Sequence, residues 1–598
     1  MNAVATIRSG GLVSFSVKSG GSAIPGSYQI YSLSVSKGIN RISSATIVIL
    51  DGSASKEDFN ASASSYFVPG VEVSIEAGYD NANKTIFSGI VTKQTLRVDD
   101  EVGSALEVVC KDKAIKMTVG RKSACFKNMT DSDVIGKLIG NTSGLSEDVT
   151  STSVKHAELV QYYCSDWDFM LSRAEVNGLL VSTLNGKVSV FQHDANTSPV
   201  LNVSYGQDMY GIHAELDAVT QLEGVKASAW DFKSQALINV QQTNNLAGPG
   251  NLSSKKLSEV VGLPEFQLQT TAALDNQDLS VWAKAQMLKS EYSKIAGEVT
   301  CQGSNLVEPG RYITLGGLGS RFNGNHIVSG VTHTLAEGNW VSEISFGLTP
   351  DWFIREPDVM APPAAGLLPG VQGLYNGTVK KNYDDPDSEY RILVDLPLFD
   401  PTGEGLWARL TNFYSTGGQG AFFLPEVGDE VIVGFLNDDP RFPVILGSVY
   451  SSKKKPYSEL SPDEKNSKKA IVSKSELRII FDDENQVLTV ETPNKNMAIF
   501  DDKNKRITVE DENQNKVVMS ESGIAMSSPK TVSIKAEESV SISGQTGVSI
   551  QSAGGDVSVS GMNISQTADT EFSLTASASM SVDGGGEMTL NAGMIMIN

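Results

Sequence analysis

From Val532 onward, apolar residues return every eight positions. Val532, Val540 and Val548 open the octads VSIKAEES, VSISGQTG and VSIQSAGG, and the grid then passes through Ile564, Phe572, Met580, Met588 and Met596. It slips once, at Asp556, where the apolar position moves to Val557. Two residues after the openers stand Ile534, Ile542, Ile550, Leu574, Val582 and Leu590. Alternate residues of a strand face opposite sides, so each octad predicts a short strand with two apolar side chains facing in. Ser, Thr, Gly, Gln and Asp fill the other positions and suit turns and a wet outer face. Short strands repeated with turns between them predict a β-solenoid.

Two solenoids fit this grid. One chain winds alone with three octads per triangular coil, or three chains interweave and each gives one octad to every level of a prism. Periodicity alone does not choose. A narrow prism encloses little core per chain, so sharing it among three chains improves burial, and the trimer is the favoured expectation. A lone thin coil also needs caps at both ends, and none is visible in the octads. At about 4.7 Å per strand the octads make a rod of about 40 Å.

Residues 1–355 alternate in the manner of strands. SATIVILDG at 44–52, VEVSIEAGYD at 71–80, IFSGIVTKQTL at 86–96 and ALEVVCKD at 105–112 are examples, punctuated by Gly and by Asp or Asn pairs that suit hairpins. Three helices are expected among them. The first follows Thr130 and Asp131, with Val134, Ile135, Leu138 and Ile139 on one side. The second starts near Ser165 or Asp166 and stops at Gly178. The third spans about 278–296, with Val281, Ala285, Leu288, Tyr292 and Ile295 on one face, closing at Gly297. The region is long enough for two β-rich domains with helical inserts.

Pro357, Pro362, Pro363 and Pro369 then stiffen 355–370 and predict a boundary. Residues 371–450 read as a compact barrel of about five strands. There Val431, Val433 and Phe435 alternate inward after the Pro425–Gly428 turn, and Asp438-Asp439-Pro440 makes the next hairpin. A basic, polar linker occupies 451–475. Residues 476–528 form a neck of related hairpins, in which IIFDDENQVLTVET, AIFDDKNKRITVED and DENQNKVVMSE each carry an acidic turn. The octad needle takes 529–598.

Charge narrows the choice of partners. Of 598 residues, 70 are Asp or Glu against 48 Lys or Arg, a net charge of −22. After Lys530 there are seven acidic residues and one lysine, Lys535, so the rod repels nucleic acid and anionic membranes. Cys110, Cys125, Cys164 and Cys301 are scattered without CxxC spacing, which supports neither a metal knuckle nor a disulfide framework. MNAVATIRSGGLVSFSV lacks the basic and apolar regions of a signal peptide, so synthesis in the cytoplasm and export by another route are expected. No run approaches the ~20 apolar residues of a membrane-spanning helix, and no stable membrane insertion is expected.

Candidate chemistry is sparse. Asp482-Asp483-Glu484, Asp501-Asp502 and Asp511-Glu512 lack the ligand order of a calcium loop and read as solvated turns. Of His156, His193, His213, His326 and His333, only the last two are close, and seven residues apart on an alternating strand they face opposite sides. Asp166-Trp167-Asp168 has the look of a glycosidase carboxylate pair, yet it stands at a helix start, where acids favour the helix dipole. The barrel carries Asp384, Asp385, Asp387, Asp429, Asp438 and Asp439 instead of the basic groove that single-stranded nucleic acid needs. No catalytic residue, metal or cofactor is expected.

The order of hub, barrel, hairpins and needle resembles the VgrG spike proteins of type VI secretion systems and related contractile injection machines. The residues that carry it are VPGVEVSIEAGYDNANKTIFSGIV at 68–91, VCKDKAIKMTVGRKS at 109–123, LVQYYCSDWDFMLSRAEVNGLLV at 159–181, the barrel at 423–450 and the octads. The resemblance implies a mainly β fold: β-rich phage-hub domains with short helical inserts, an OB-fold barrel and a C-terminal trimeric, intertwined β-helix. It also implies a homotrimer whose hub sits on an Hcp-like inner-tube ring protein and the baseplate. A PAAR-type protein sharpens the needle end, effectors ride on it, and the action is mechanical puncture. The spike is then assembled in the machine and secreted or injected into target cells. A type VI system, an extracellular injection particle and a phage-like tail share these motifs.

Departures from the family are expected to matter little for architecture. The 451–475 joint leaves no room for the lysozyme domain of some phage needles, no enzymatic extension follows MIMIN, and the octads hold no histidine for a tip iron. An envelope-degrading enzyme on a solenoid stalk and an adhesive fibre are the competing readings. The first lacks converging catalytic residues, and the second expects aromatic binding loops where Phe572 is the one aromatic beyond Val532. At the tip, Met594, Ile595, Met596, Ile597 and Asn598 are expected to form a platform for a partner, because a run of apolar residues ends a polar rod. The bland alternative is that they finish the solenoid core.

Overall fold

A computed structural model describes residues 5–6, 10–100, 103–194, 196–263 and 265–597. Strands take 39% of the chain and helices 11%, so the fold is mainly β. Two compact units divide at Val449 and Tyr450.

The first unit is built on one large sheet whose alternating sequences pair as their apolar spacing requires. Ser44–Leu50 lies between Gln29–Gly38 and Gly103–Lys111, with Leu33 opposite Ile47 and Ile47 opposite Val108. Val13–Ser19 pairs with Glu72–Tyr79, setting Val17 against Ile75. These inward residues, with Phe67, Phe87 and Trp340, make a fully buried core. A second core around Val299, Ile313, Val328 and Ile344 lies where Ile295–Gln302, Tyr312–Gly316, Gly324–Ala336 and Asn339–Phe346 join the same sheet.

Helix α1, Asp131–Gly140, begins at Thr130 with a reciprocal cap: the Thr130 hydroxyl accepts from Asp133 N at 3.2 Å and Asp133 Oδ2 accepts from Thr130 N at 3.0 Å. Helix α2, Asp166–Val176, is capped by Ser165, whose Oγ accepts from Asp168 N. Their apolar faces meet over Val134, Ile135, Leu138, Met170 and Leu171. Helix α3, Ser254–Val261, was not among the helices the spacing predicted, since Leu257 is its one fully buried large apolar residue. Helix α4, Asn276–Tyr292, ends earlier than its apolar spacing suggests. Ile295 and Gly297 belong to the next strand, where Gly297 pairs with Ala214 and Phe346. A Cβ at Gly297 would stand 2.1 Å from the His213 carbonyl oxygen, so sheet pairing overrides helical periodicity there.

The barrel closes through Tyr375–Lys381, Ile392–Asp395, Leu406–Leu410, Pro443–Ser448 and Glu430–Phe435. Val431 and Val433 are fully buried with Val379, Ile392, Val394, Ala408 and Ile445, and Phe435 packs against them as the alternation predicts.

In the second unit, seven five-residue strands run up and down as one antiparallel sheet from Lys468–Val472 to Gly523–Ser527. The neck hairpins are therefore one continuous meander, and it starts inside the segment read as linker. Among the described residues beyond Ser527 no strand pairs within the chain.

Candidate assembly surfaces

Asp166 accepts from Gln161 Nε2 at 3.0 Å and pairs with Lys122, while Asp168 lies against the Ser165 cap. The Asp168 carboxylate is engaged by the cap of α2, whereas that of Asp166 is held by Gln161 and Lys122 from two neighbouring strands. His326 and His333 share the strand Gly324–Ala336, but a register shift separates them between Val328 and Gly330. His326 Nε2 meets the Phe322 carbonyl at 2.8 Å, and His333 Nδ1 meets Ser342 Oγ at 2.8 Å. Burial pushes their pKa values down, to about 4 and about 3 respectively, so both are neutral packing groups. His156 joins Arg173 and Asn177 around Asp131.

The Asp-rich turns of the neck use their oxygens locally. Asp482 accepts from Asn485 N and Nδ2 at 3.0 and 3.1 Å, and Asp501 repeats the contact with Asn504 at 2.9 Å for each. Asp511 does the same with Asn515, at 2.8 Å for each. These hydrogen bonds hold all three carboxyls below their usual pKa, Asn485, Asn504 and Asn515 supplying the largest contribution in each case. They are turn acceptors.

The unusual feature of the neck is its two faces. Register places Ile471, Ile479, Val490, Ala498, Val509, Val517 and Met526 in one row across the sheet. The neighbouring row on that face is Lys469, Phe481, Leu488, Phe500, Ile507, Met519 and Ile524. Lys469 aside, the face is wholly apolar. Its exposed members range from 36% at Ile507 to 72% at Ile524 in the single chain. On the opposite face, Ala470, Ile480, Thr489, Ile499, Thr508 and Val518 are flanked by charged side chains. Arg478 and Glu491 stand 3.6 Å apart there, Lys516 and Glu510 2.8 Å, and the Arg478 guanidinium lies 5.2 Å from the Tyr457 ring. Long charged side chains cover that face. Nothing among the described residues covers the apolar one. The sequence held a signal for it, an apolar pair two residues apart in six of the seven strands (Ile479 and Phe481, Leu488 and Val490, Ala498 and Phe500 among them), but only register joins the pairs into rows.

The octads continue this exposure. Their apolar positions are from 48% exposed at Met588 to 80% at Met596, so the side chains predicted to face inward find no core within one chain. At the end, Met594, Ile595, Met596 and Ile597 are all exposed, 52% to 87%. Asn598 lies outside the described residues.

Residues 375–450 match the model of the type VI secretion system/phage-baseplate injector OB domain, and residues 9–337 match that of the Alg8 N-terminal domain. Several solved structures are similar in part. The 43 kDa tail protein of prophage MuSo2 from Shewanella oneidensis is 11% identical, with a TM-score of 0.43 over 56% of this chain and 98% of its own. An E. coli component of the type VI secretion system, with structural similarity to the T4 bacteriophage tail proteins gp27 and gp5, is 14% identical, with a TM-score of 0.37 over 72% of this chain and 99% of its own. The Francisella PdpA-VgrG complex is 10% identical, with a TM-score of 0.37 over 87% of this chain and 80% of its own. The closed five-stranded barrel coincides with the match to the injector OB domain at 375–450. The chain belongs to the family of the Alg8 N-terminal domain, whose model spans more than half of it.

Proposed function

We propose that three copies of the chain form the spike at the tip of a contractile injection machine, which punctures a target envelope and carries a tip protein and effectors. The hub end docks on an Hcp-like ring of the inner tube and on the baseplate, and the needle end receives a PAAR-type protein. The action is mechanical, with no substrate turned over. The spike is made in the bacterial cytoplasm and leaves with the machine; no helix among the described residues is long and apolar enough to cross a membrane.

The observation that carries this reading is the exposure of every octad core position in the single chain. A one-chain solenoid buries those residues in cis and pairs its strands in cis, whereas interwoven chains satisfy both only on assembly. Light scattering on the full-length chain tests it. Three times 63.8 kDa, about 191 kDa, with an elongated elution profile is expected, and a mass near 63.8 kDa refutes the trimer. At the tip, Met594, Ile595, Met596, Ile597 and Asn598 form the platform for the tip protein. A chain truncated before Met588 is expected to trimerise and to lose that partner in pull-down, and unchanged capture by the truncated spike overturns the assignment.

A further inference from the structure

We infer that the seven-stranded sheet from Lys468 to Ser527 is the element that brings three chains together and sets their register, and that the octads wind around one another only afterwards. The inference rests on the trimer reading and adds an order of events to it.

The two parts of the tail differ in what one chain can complete. In the neck every strand finds its ladder partner in cis, joined by turns whose Asp side chains accept the local amides. The sheet needs no second chain for its backbone. What it lacks is cover for one face. The ten exposed residues there present on the order of 900 Å² in a single chain, comparable with the roughly 800 Å² per partner of a stable interface. The octads are the reverse case, with no cis ladder among the described residues and only two inward positions each. Ordering such a segment costs entropy before any contact offsets it.

Register gives a second, independent reason. Val532, Val540 and Val548 are interchangeable, so sliding one chain by eight residues still matches apolar to apolar. Only the slip at Asp556 and the change of openers to Ile564, Phe572 and Met580 mark one alignment, so the octads specify their register weakly. The neck rows do not repeat. Phe481, Leu488, Phe500, Ile507, Met519 and Ile524 follow one another in a unique order of sizes, so face-to-face packing has one best alignment.

Further copies of this chain are the occupants the chemistry favours. The face carries one charge per copy, Lys469 in the first strand, and each is paired with Asp483 of its own chain, so copies bring no unpaired like charges together there. On the opposite face Arg478 and Asp501 are already buried within the chain, and a partner there would have to desolvate Arg506, Glu510 and Lys516.

Four variants of the full chain, each refolded and weighed by light scattering, test the order. Phe500→Asp/Met519→Asp places six carboxylates on the apolar face of a trimer. Arg506→Asp/Ser520→Asp puts two carboxylates per chain one residue away from the apolar row, on the opposite face, and Ser520→Asp alone one. Ile542→Asp damages an octad. Expected are a threefold drop in mass for the first variant, with sheet content retained by circular dichroism, and a trimer for the other three. The Ile542→Asp needle should in addition become protease-sensitive. If wild-type chain is a trimer, any other pattern overturns the inference: a trimeric Phe500→Asp/Met519→Asp chain, a monomeric Ile542→Asp chain, or equal loss with either opposite-face variant. A monomeric wild type would instead remove the trimer reading itself.

Discussion

Replacing Arg173 by Met isolates a buried electrostatic contact of the first unit. Asp131, at the first turn of α1, is 1% exposed. It accepts from Arg173 Nε at 2.6 Å and Nη2 at 3.0 Å, from Asn177 Nδ2 at 2.8 Å, and meets His156 Nε2 at 3.1 Å. Burial acts to raise its pKa, but the hydrogen bonds and charge of Arg173, helped by Asn177 and His156, outweigh burial and hold it below the ordinary value. Arg173→Met keeps the apolar stem and leaves the carboxylate without its cation. Breaking one side of a buried pair costs 3–5 kcal/mol, and the Asn177 and His156 contacts place the cost near the low end, about 3 kcal/mol. Thermal unfolding of the full chain should show the hub transition lowered by on the order of 5 °C, with faster amide exchange in α1 and α2. The pH dependence has a definite sign. A depressed carboxylate stabilises above its unfolded pKa, about 3.9, and the stabilisation is lost as pH falls through the lower folded value. The gap between wild type and variant is therefore largest at neutral pH and closes in acid. A loss under about 1 kcal/mol, or an Arg173→Met/Asp131→Asn double variant no more stable than the single one, would refute the argument.

Two further changes probe local packing in the hub. Thr130→Ala removes the reciprocal cap of α1 and should cost about 1 kcal/mol, read as faster exchange of the first-turn amides; unaltered exchange would show the cap to be redundant. Gly303→Ala places a Cβ 2.1 Å from Trp340 Cγ, in the core where that indole stacks on Tyr79 at 5.4 Å. Overpacking of that kind should destabilise by about 3 kcal/mol and alter the near-ultraviolet dichroism, and an unchanged melting temperature would contradict it.

Much of this architecture was legible from alternation and caps. The strands at 44–52, 71–80 and 105–112 stand where their period-two pattern put them, because a half-buried strand has no other way to hide Ile47, Ile75 and Val108. Thr130 and Ser165 cap α1 and α2 for the same local reason. The end of α4 was not legible. Ile295 has a helical spacing to Tyr292, and only the pairing of Ile295–Gln302 with two distant strands takes it out of the helix.

The tail draws the same line more sharply. Short-range chemistry, meaning apolar period, turn residues and charge, was enough to show that 532–597 repeats every eight residues and that the neck is built of hairpins; the strands and core positions expected of the octads are not formed within one chain among the described residues. It was also enough to mark the tip as apolar. None of these local signals could say that the hairpins merge into one sheet, or that thirteen apolar side chains line up on a single face of it. That required register, which depends on how residues tens of positions apart are matched across the ladder, from Ile471 to Met526. A strand's own sequence states which of its residues want burial. Which surface they jointly form, and how much of it one chain leaves uncovered, is a property of the pairing and exists only once the sheet has closed its hydrogen bonds.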